Sequence, residues 1–196
     1  MSGEKINAVV VGGGPVGTRK ALALLAAGAT VRVISLDVSQ ELESAASSDS
    51  KLSLDLRAYS GIADIGDAEL VIAATGSVAD EAIAADAHEL HRLVVVAGAP
   101  ETGNATSMAA YRNGPLTVGV STGSVPSAAA RIRDAIAGRF DSRYADAIVA
   151  LTEIRAGTIA AAGTSEWARF NAVLAGRDFC ERVESGRFAE VESECR

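Results

Sequence analysis

Cysteine, histidine, lysine and aromatic residues are all scarce in this chain of 196 residues. Its two cysteines, Cys180 and Cys195, stand near the C-terminus with no CxxC spacing and no histidine beside them. That pattern excludes a disulfide framework and a structural zinc site of ordinary ligand spacing. With only 4% aromatic residues, a core has to come from Val, Leu and Ile, and 39 alanines make up much of the 48% apolar fraction. No apolar run approaches the roughly 18–20 residues that cross a bilayer. The first residues show neither a signal-peptide pattern nor a myristoylation pattern, so the expectation is a cytoplasmic protein with no membrane partner. A basic face is missing too: 18 Lys and Arg stand against 25 Asp and Glu, a net charge of −7. This balance argues against nucleic acid as a partner, because phosphate binding needs a basic surface.

What is present is an alternation. Apolar runs at 6–11, 30–34, 52–56, 70–74 and 93–97 are separated by helical stretches at 15–27, about 39–46 and about 77–90. The runs at 70–74 and 93–97 are continuous rather than alternating, as in parallel strands covered on both faces. Gly28 stands where a helix C-cap belongs. The pattern predicts an α/β fold, a Rossmann-like doubly wound parallel sheet. Beyond it, 116–121 reads as one more strand after an Asn113-Gly114-Pro115 turn, and helices follow from Pro126 onward. Tyr144, Ile148, Leu151 and Ile154 share one helical face. Gly163 is expected to end that helix, and Thr164 or Ser165 to cap the next. That last helix carries Trp167 and Phe170 as core residues and closes at Gly176.

The strongest local signal is Gly12-Gly13-Gly14-Pro15-Val16-Gly17, a GxGxxG between a strand and a helix. In such a motif Gly12 allows the tight turn, Gly14 admits a pyrophosphate, and Gly17 lets the helix pack against the sheet. The helix start then offers free N–H groups to phosphate oxygens, Pro15 and Val16 included in the loop. The adenosine ribose of NAD is expected about 18–20 residues on, where Ser35, Leu36 and Asp37 stand. Asp37 is either that ribose ligand or part of the cap of the next helix, and Ser35 is a hydroxyl donor to a ribose hydroxyl or to a 2′-phosphate. No Arg follows at once to favour NADP, so the expected cofactor is NAD. Thr75 and Gly76, at the end of the fourth strand, are expected beside the nicotinamide half.

The segments VVGGGPVGTRKALALLAAGATVRVIS, LVIAATGS and GPLTVGVSTGSVPSAAARIRDAI occur in order. Together they resemble the dehydrogenase domain of siroheme synthases, a family of precorrin-2 dehydrogenases, some of which are also sirohydrochlorin ferrochelatases. The resemblance runs from about 6 to 136. It implies an NAD-binding domain at 1–107, a dimerisation segment at 108–140 and a small helical subdomain at 141–196. It further implies a homodimer and a tetrapyrrole substrate, precorrin-2, oxidised to sirohydrochlorin with NAD⁺ in sirohaem synthesis.

Carried over residue by residue, the family's carboxylate after the fifth strand falls on Gly98, which cannot take a proton. The nearest acid is Glu101, which with Ser121 and Thr122 forms the candidate catalytic set. Asn104, Arg131 and Arg133 are the candidate substrate contacts; the two arginines suit substrate carboxylates, or are ordinary surface charge. Gly98 implies either relocated base chemistry or a reaction in which the base was dispensable, a positioned base being worth about 10² to 10⁴ in rate. The alternative is a non-catalytic homologue that binds NAD or a tetrapyrrole. His88 and His91 lie three apart at a helix end without a third ligand and read as a solvated helix face. No metal site is expected, and metal insertion is expected to be weak or absent.

Overall fold

The computed structural model describes residues 4–123 and 125–194, in two compact units, Met1–Ser107 and Met108–Arg196. In the first unit, five strands, β1 (Asn7–Gly13), β2 (Thr30–Val38), β3 (Leu52–Leu56), β4 (Leu70–Ala73) and β5 (Leu93–Val96), form a parallel sheet in the order β3-β2-β1-β4-β5. The period of two in each strand explains why the apolar runs are unbroken. Val9, Val11, Ile34, Val71 and Val94 face one core with Ile83 and Ala87 of α3 (Ala79–Glu89). Val10, Val31, Val33, Ile72 and Val95 face the other, where Ala21 of α1 (Pro15–Ala26) and Leu42 of α2 (Gln40–Ser48) close over them. Between β3 and β4 no α-helix covers the sheet; a 3-10 turn, Ile62–Asp64, brings Ile65 into the first core instead.

The second strand departs from expectation. It runs to Val38 rather than stopping at 34, and its pairing with β1 jumps from Val11↔Ile34 to Gly13↔Val38. Ser35, Leu36 and Asp37 therefore bulge opposite Gly12 inside the strand. Asp37 does not cap α2; that is Ser39, whose Oγ accepts the Leu42 N–H at 3.3 Å.

In the second unit the expected strand at 116–121 is β7 (Leu116–Val120). It pairs antiparallel with β6 (Ala109–Asn113), a strand the sequence pattern did not show, in a separate two-stranded sheet. Five helices follow: α4 (Pro126–Arg139), α5 (Ser142–Ala162), α6 (Thr164–Leu174), α7 (Phe179–Glu184) and α8 (Phe188–Glu194). The break between α5 and α6 is Gly163 itself, at φ +83, and neither Thr164 nor Ser165 acts as the cap. At the end of α6, ahead of Gly176, the buried Arg182 guanidinium donates to the Val173 and Leu174 carbonyls and holds Asp178 at 2.9 Å. This unit holds seven of the eight aromatic residues, Tyr59 being the exception. Phe140 and Tyr144, Tyr144 and Phe179, and Phe179 and Phe188 pack in sequence with ring centroids 4.6, 6.3 and 5.6 Å apart. Trp167 and Phe170 border the same cluster. No helix among the described residues is long and apolar enough to cross a membrane.

Candidate dinucleotide site

The glycine loop leaves the carboxyl end of β1 and turns at Gly12, at φ +110, where an added Cβ would lie 2.3 Å from the Ala74 carbonyl oxygen. Gly17 is tighter still, its Cβ meeting the Gly12 carbonyl oxygen at 1.8 Å, and Gly13 is closed off by the Asp37 carbonyl. Gly14 differs: nothing stands within 4 Å of its Cβ position, so the one open face of the loop is where a pyrophosphate has to approach. The first helical N–H satisfied inside α1 is that of Thr18, on the Gly14 carbonyl at 2.9 Å. The N–H groups of Val16 and Gly17 thus stand at the helix start, with Pro15 having none to offer.

Three hydroxyls fix this loop. Ser35 Oγ accepts the Gly13 N–H at 2.9 Å. Thr18 Oγ1 donates to the Gly13 carbonyl at 3.0 Å and lies 3.0 Å from Ser39 Oγ. Ser35 therefore holds the loop through an oxygen lone pair, and its O–H keeps the capacity to donate. Asp37 is exposed, with Oδ1 accepting the Val38 N–H at 2.9 Å and its second oxygen without a partner among the described residues. It borders an open cleft of about 720 Å³ lined by Gly14, Thr18, Arg19, Asp37, Ser39 and Glu41 among others. That volume is in the range of small-molecule sites.

On the other side of β1, Thr75 and Gly76 follow β4 as expected, but a residue the sequence reading missed holds them. Asp80, 7% exposed, accepts the N–H groups of Thr75 and Gly76 at 3.0 and 3.1 Å and the Thr75 hydroxyl at 2.8 Å. Thr75 and Gly76 consequently present a shaped surface rather than free donors. An acid in the first turn of a helix after a Thr-Gly-Ser turn was the available signal.

The segment after β5 behaves differently from the carry-over. Gly98 is exposed with nothing within 4 Å of its Cβ position. Glu101 sits exposed on a 3-10 turn, Pro100–Thr102, and the chain then returns along β5, the Asn104 and Ala105 N–H groups both donating to the Val94 carbonyl at 3.1 Å. Asn104 is a correction: its Oδ1 accepts the Val94 N–H at 2.7 Å and its Nδ2 donates to the Arg92 carbonyl at 2.9 Å. Both polar ends are used at the amino end of β5, opposite the edge that carries the glycine loop. His88 Nε2 lies 2.9 Å from the Thr102 carbonyl, on the same return, so its ring secures the segment. His91 adopts φ +55 in the turn after α3. No group of three or more potential metal ligands occurs among the described residues.

Ser121, Thr122, Arg131 and Arg133 belong to the second unit, around the start of α4. Thr122 Oγ1 donates to the Val125 carbonyl at 2.6 Å, and Arg133 is paired with Asp134 at 2.6 Å. Ser121 and Arg131 are exposed. Cys180 is a free, exposed thiol, and Cys195 lies outside the described residues.

A parallel sheet ordered β3-β2-β1-β4-β5, with a glycine loop and a helix start at the carboxyl end of its central strand, defines a dinucleotide-binding domain. Residues 1–109 match the family of NAD(P)-binding domains, and the chain belongs to that family. A siroheme synthase of Saccharophagus degradans is 32% identical over 139 residues, covering 69% of this chain and 30% of its own length. One from Chromobacterium violaceum is 34% identical over 189 residues, covering 93% of this chain and 37% of its own. The chain thus spans about a third of the length of these curated relatives. Among solved structures, SirC, precorrin-2 dehydrogenase, superposes with a TM-score of 0.75 at 22% identity over 99% of this chain and 97% of that one, a likeness of fold.

Proposed function

We propose that this chain is an NAD-dependent dehydrogenase that oxidises precorrin-2 to sirohydrochlorin in sirohaem synthesis. The observation that carries the proposal is the open face of Gly14 on a loop otherwise closed at Gly12, Gly13 and Gly17, in a chain similar to siroheme synthases along 93% of its length. In this reading the Val16 and Gly17 N–H groups hold the pyrophosphate, Asp37 takes the adenosine ribose, and Thr75 and Gly76 shape the floor for the nicotinamide. Bound NAD⁺ supplies the hydride acceptor. The chain's own contribution is to orient the two reactants. Arg131, the arginine of its pair without an acidic neighbour in contact, offers a fork to a substrate carboxylate, with Ser121 nearby in sequence as a hydroxyl contact. With glycine at 98, Glu101, exposed on the turn that follows the carboxyl end of β5, is the nearest acid in sequence to take the proton. Metal insertion is weak or absent, because Gly98, Ala99, Ser121 and Thr122 offer no good ligand for a divalent transition ion. The test is direct: pure protein with precorrin-2 and NAD⁺ forms NADH together with sirohydrochlorin. Nucleotide binding without turnover would instead make it a non-catalytic binding homologue.

We also propose that the protein is a homodimer built on residues of about 108–140. The β6–β7 pair, packed on α4, is a two-stranded sheet with both outer edges unpaired among the described residues, and unpaired edges are templates for another chain. Beside it Met108, Val125 and Ile132 are 60, 50 and 45% exposed. A second copy supplies the missing cover symmetrically. A sedimentation mass near twice the 19.9 kDa of the chain is expected, and a monomer mass refutes the dimer.

A further inference from the structure

Residues 99–107 leave β5 and come back along it, and most polar groups on the way hold that path. The 3-10 turn closes on the Ala99 carbonyl, which takes the Thr102 N–H at 3.0 Å and the Thr102 hydroxyl at 2.8 Å. Gly103 then lies so close to β5 that an added Cβ would meet the Val94 carbonyl oxygen at 2.7 Å and the Val96 nitrogen at 3.4 Å. Asn104 reaches across to the Val94 N–H and the Arg92 carbonyl, and Ser107 Oγ accepts from Lys20 Nζ of α1 at 2.7 Å. With Gly103 beside the middle of β5, the turn just before it stands at the carboxyl end of that strand, level with 97–98. Glu101 is the centre of this turn. Its carboxylate is exposed and has no partner among the described residues, whereas the side chains of Thr102, Asn104 and Ser107 are all bound. A three-residue 3-10 turn is poorly bonded on its own. It is fixed from outside by His88, in the last turn of α3, whose Nε2–H donates to the Thr102 carbonyl at 2.9 Å. That helix is itself seated in the first core through Ile83, Ala84 and Ala87. We infer that His88 is a positioning residue: it holds the turn that sets the Glu101 carboxylate beside Gly98, so that the turn supplies the proton acceptor that position 98 lacks. The inference rests on the reading of Glu101 as the proton acceptor and adds the residue that places it.

Oxidation of precorrin-2 by NAD⁺ is followed in the whole chain as NADH formed, with a melting temperature for each variant. Glu101→Gln is expected to lower kcat by about tenfold or more. His88→Ala lowers kcat roughly five- to tenfold and leaves KM for NAD⁺ within about twofold, since a displaced acceptor slows the proton step without touching the nucleotide. His88→Gln, which keeps an N–H donor, recovers most of that loss. Two backgrounds separate placement from folding. In Glu101→Gln the His88→Ala change has no further effect on kcat, because no carboxylate is left to place. In Gly98→Asp, where the carboxylate stands on the end of β5 itself, His88→Ala costs less than about twofold. Lys20→Met releases the far end of the returning segment and leaves kcat unchanged. A native rate in His88→Ala, an equal loss from it in all three backgrounds, or the same loss in Lys20→Met overturns the inference. A native rate in Glu101→Gln removes the proton acceptor, and the inference with it, while the dehydrogenase stands. No turnover by the native chain overturns the dehydrogenase reading and the inference together.

Discussion

A Cβ on Gly17 would stand 1.8 Å from the carbonyl oxygen of Gly12, so the first turn of α1 is seated directly on the turn that leaves β1. Gly14, between them, is open on the same measure and has φ −68, a conformation any residue adopts. One loop therefore contains a position reserved for the fold and a position left for a ligand.

Substitutions at these two glycines should separate accordingly. Gly17→Ala forces backbone against backbone and is expected to lower stability by about 1–3 kcal/mol. Gly14→Asp places a good N-cap residue at the start of α1, so stability stays within about 0.5 kcal/mol. It nevertheless sets a side chain and a negative charge against the pyrophosphate, and NAD⁺ affinity falls at least tenfold. Denaturant melts and nucleotide titrations of both variants read the two effects. Unchanged affinity in a folded Gly14→Asp protein means that the loop is only a turn.

Asp80 is expected to matter for cofactor geometry without touching the cofactor. Asp80→Ala frees the N–H groups of Thr75 and Gly76 and the Thr75 hydroxyl, at a cost of about 1–3 kcal/mol. Asp80→Asn keeps an acceptor at the Oδ1 position and costs less. If the surface at 75–76 shapes the nicotinamide floor, KM for NAD⁺ rises in Asp80→Ala and recovers in Asp80→Asn. A loss of stability with KM unmoved would assign Asp80 to folding alone.

Acid stability should depend on Asp64. The Arg57 guanidinium holds this buried carboxylate at 2.7 and 2.9 Å, the Ser60 N–H and hydroxyl add bonds of 2.7 and 2.9 Å, and its pKa is driven far below the ordinary aspartate value of 3.8. A lowered folded pKa means stability fully present above the unfolded value and lost as pH falls toward the folded one. Asp64→Asn is therefore expected to cost about 1–3 kcal/mol at pH 7. The gap to the native protein should close as pH drops below about 4. A gap that does not change between pH 7 and pH 3 would refute the ionic account.

Placing a carboxylate at 98, where the resemblance to siroheme synthases implies one, is the simplest gain-of-function test. Gly98 has no neighbour within 4 Å of its Cβ position and no left-handed backbone, so Gly98→Asp should fold with a melting temperature close to that of the native protein. A positioned base is worth about 10² to 10⁴. The expected result is a rise of at least tenfold in precorrin-2 oxidation, or protein-dependent insertion of Co²⁺ into sirohydrochlorin where the native protein gives little. A native rate that Gly98→Asp leaves unchanged would show that the position has no part in the chemistry.

Much of the first unit was legible because its signals are local. Val9, Val10 and Val11 ahead of three glycines admit one reading, since the apolar run and the turn share the same residues. The end of β2 was illegible for a tertiary reason: Ser35, Leu36 and Asp37 do not continue the apolar run, and they are held in the strand by the Gly13 N–H, 22 residues away. Strand β6, with Ala109 and Ala110 ahead of Tyr111, Arg112 and Asn113, is half-exposed throughout and carries little pattern without its partner β7. Helices α7 and α8 are six and seven residues long, too short for periodicity to accumulate, and exist through packing of Phe179, Val183 and Phe188. Asn104 misled because a polar residue beside Glu101 looks like a ligand until the chain is seen to double back along β5.

The uneven placement of the aromatic rings gives the two units different optical signatures. Trp167 and the ring pairs formed by Phe140, Tyr144, Phe179 and Phe188 are confined to residues after 107, whereas the nucleotide-binding unit carries Tyr59 alone. Indole emission therefore follows the melting of the helical unit and is nearly blind to the sheet, while far-ultraviolet circular dichroism follows both. Overlaid melting curves from the two probes would mean that the halves unfold as one cooperative body. Curves that separate would give each half its own midpoint, and a nucleotide that shifts only the dichroism curve would locate its binding without any labelled ligand.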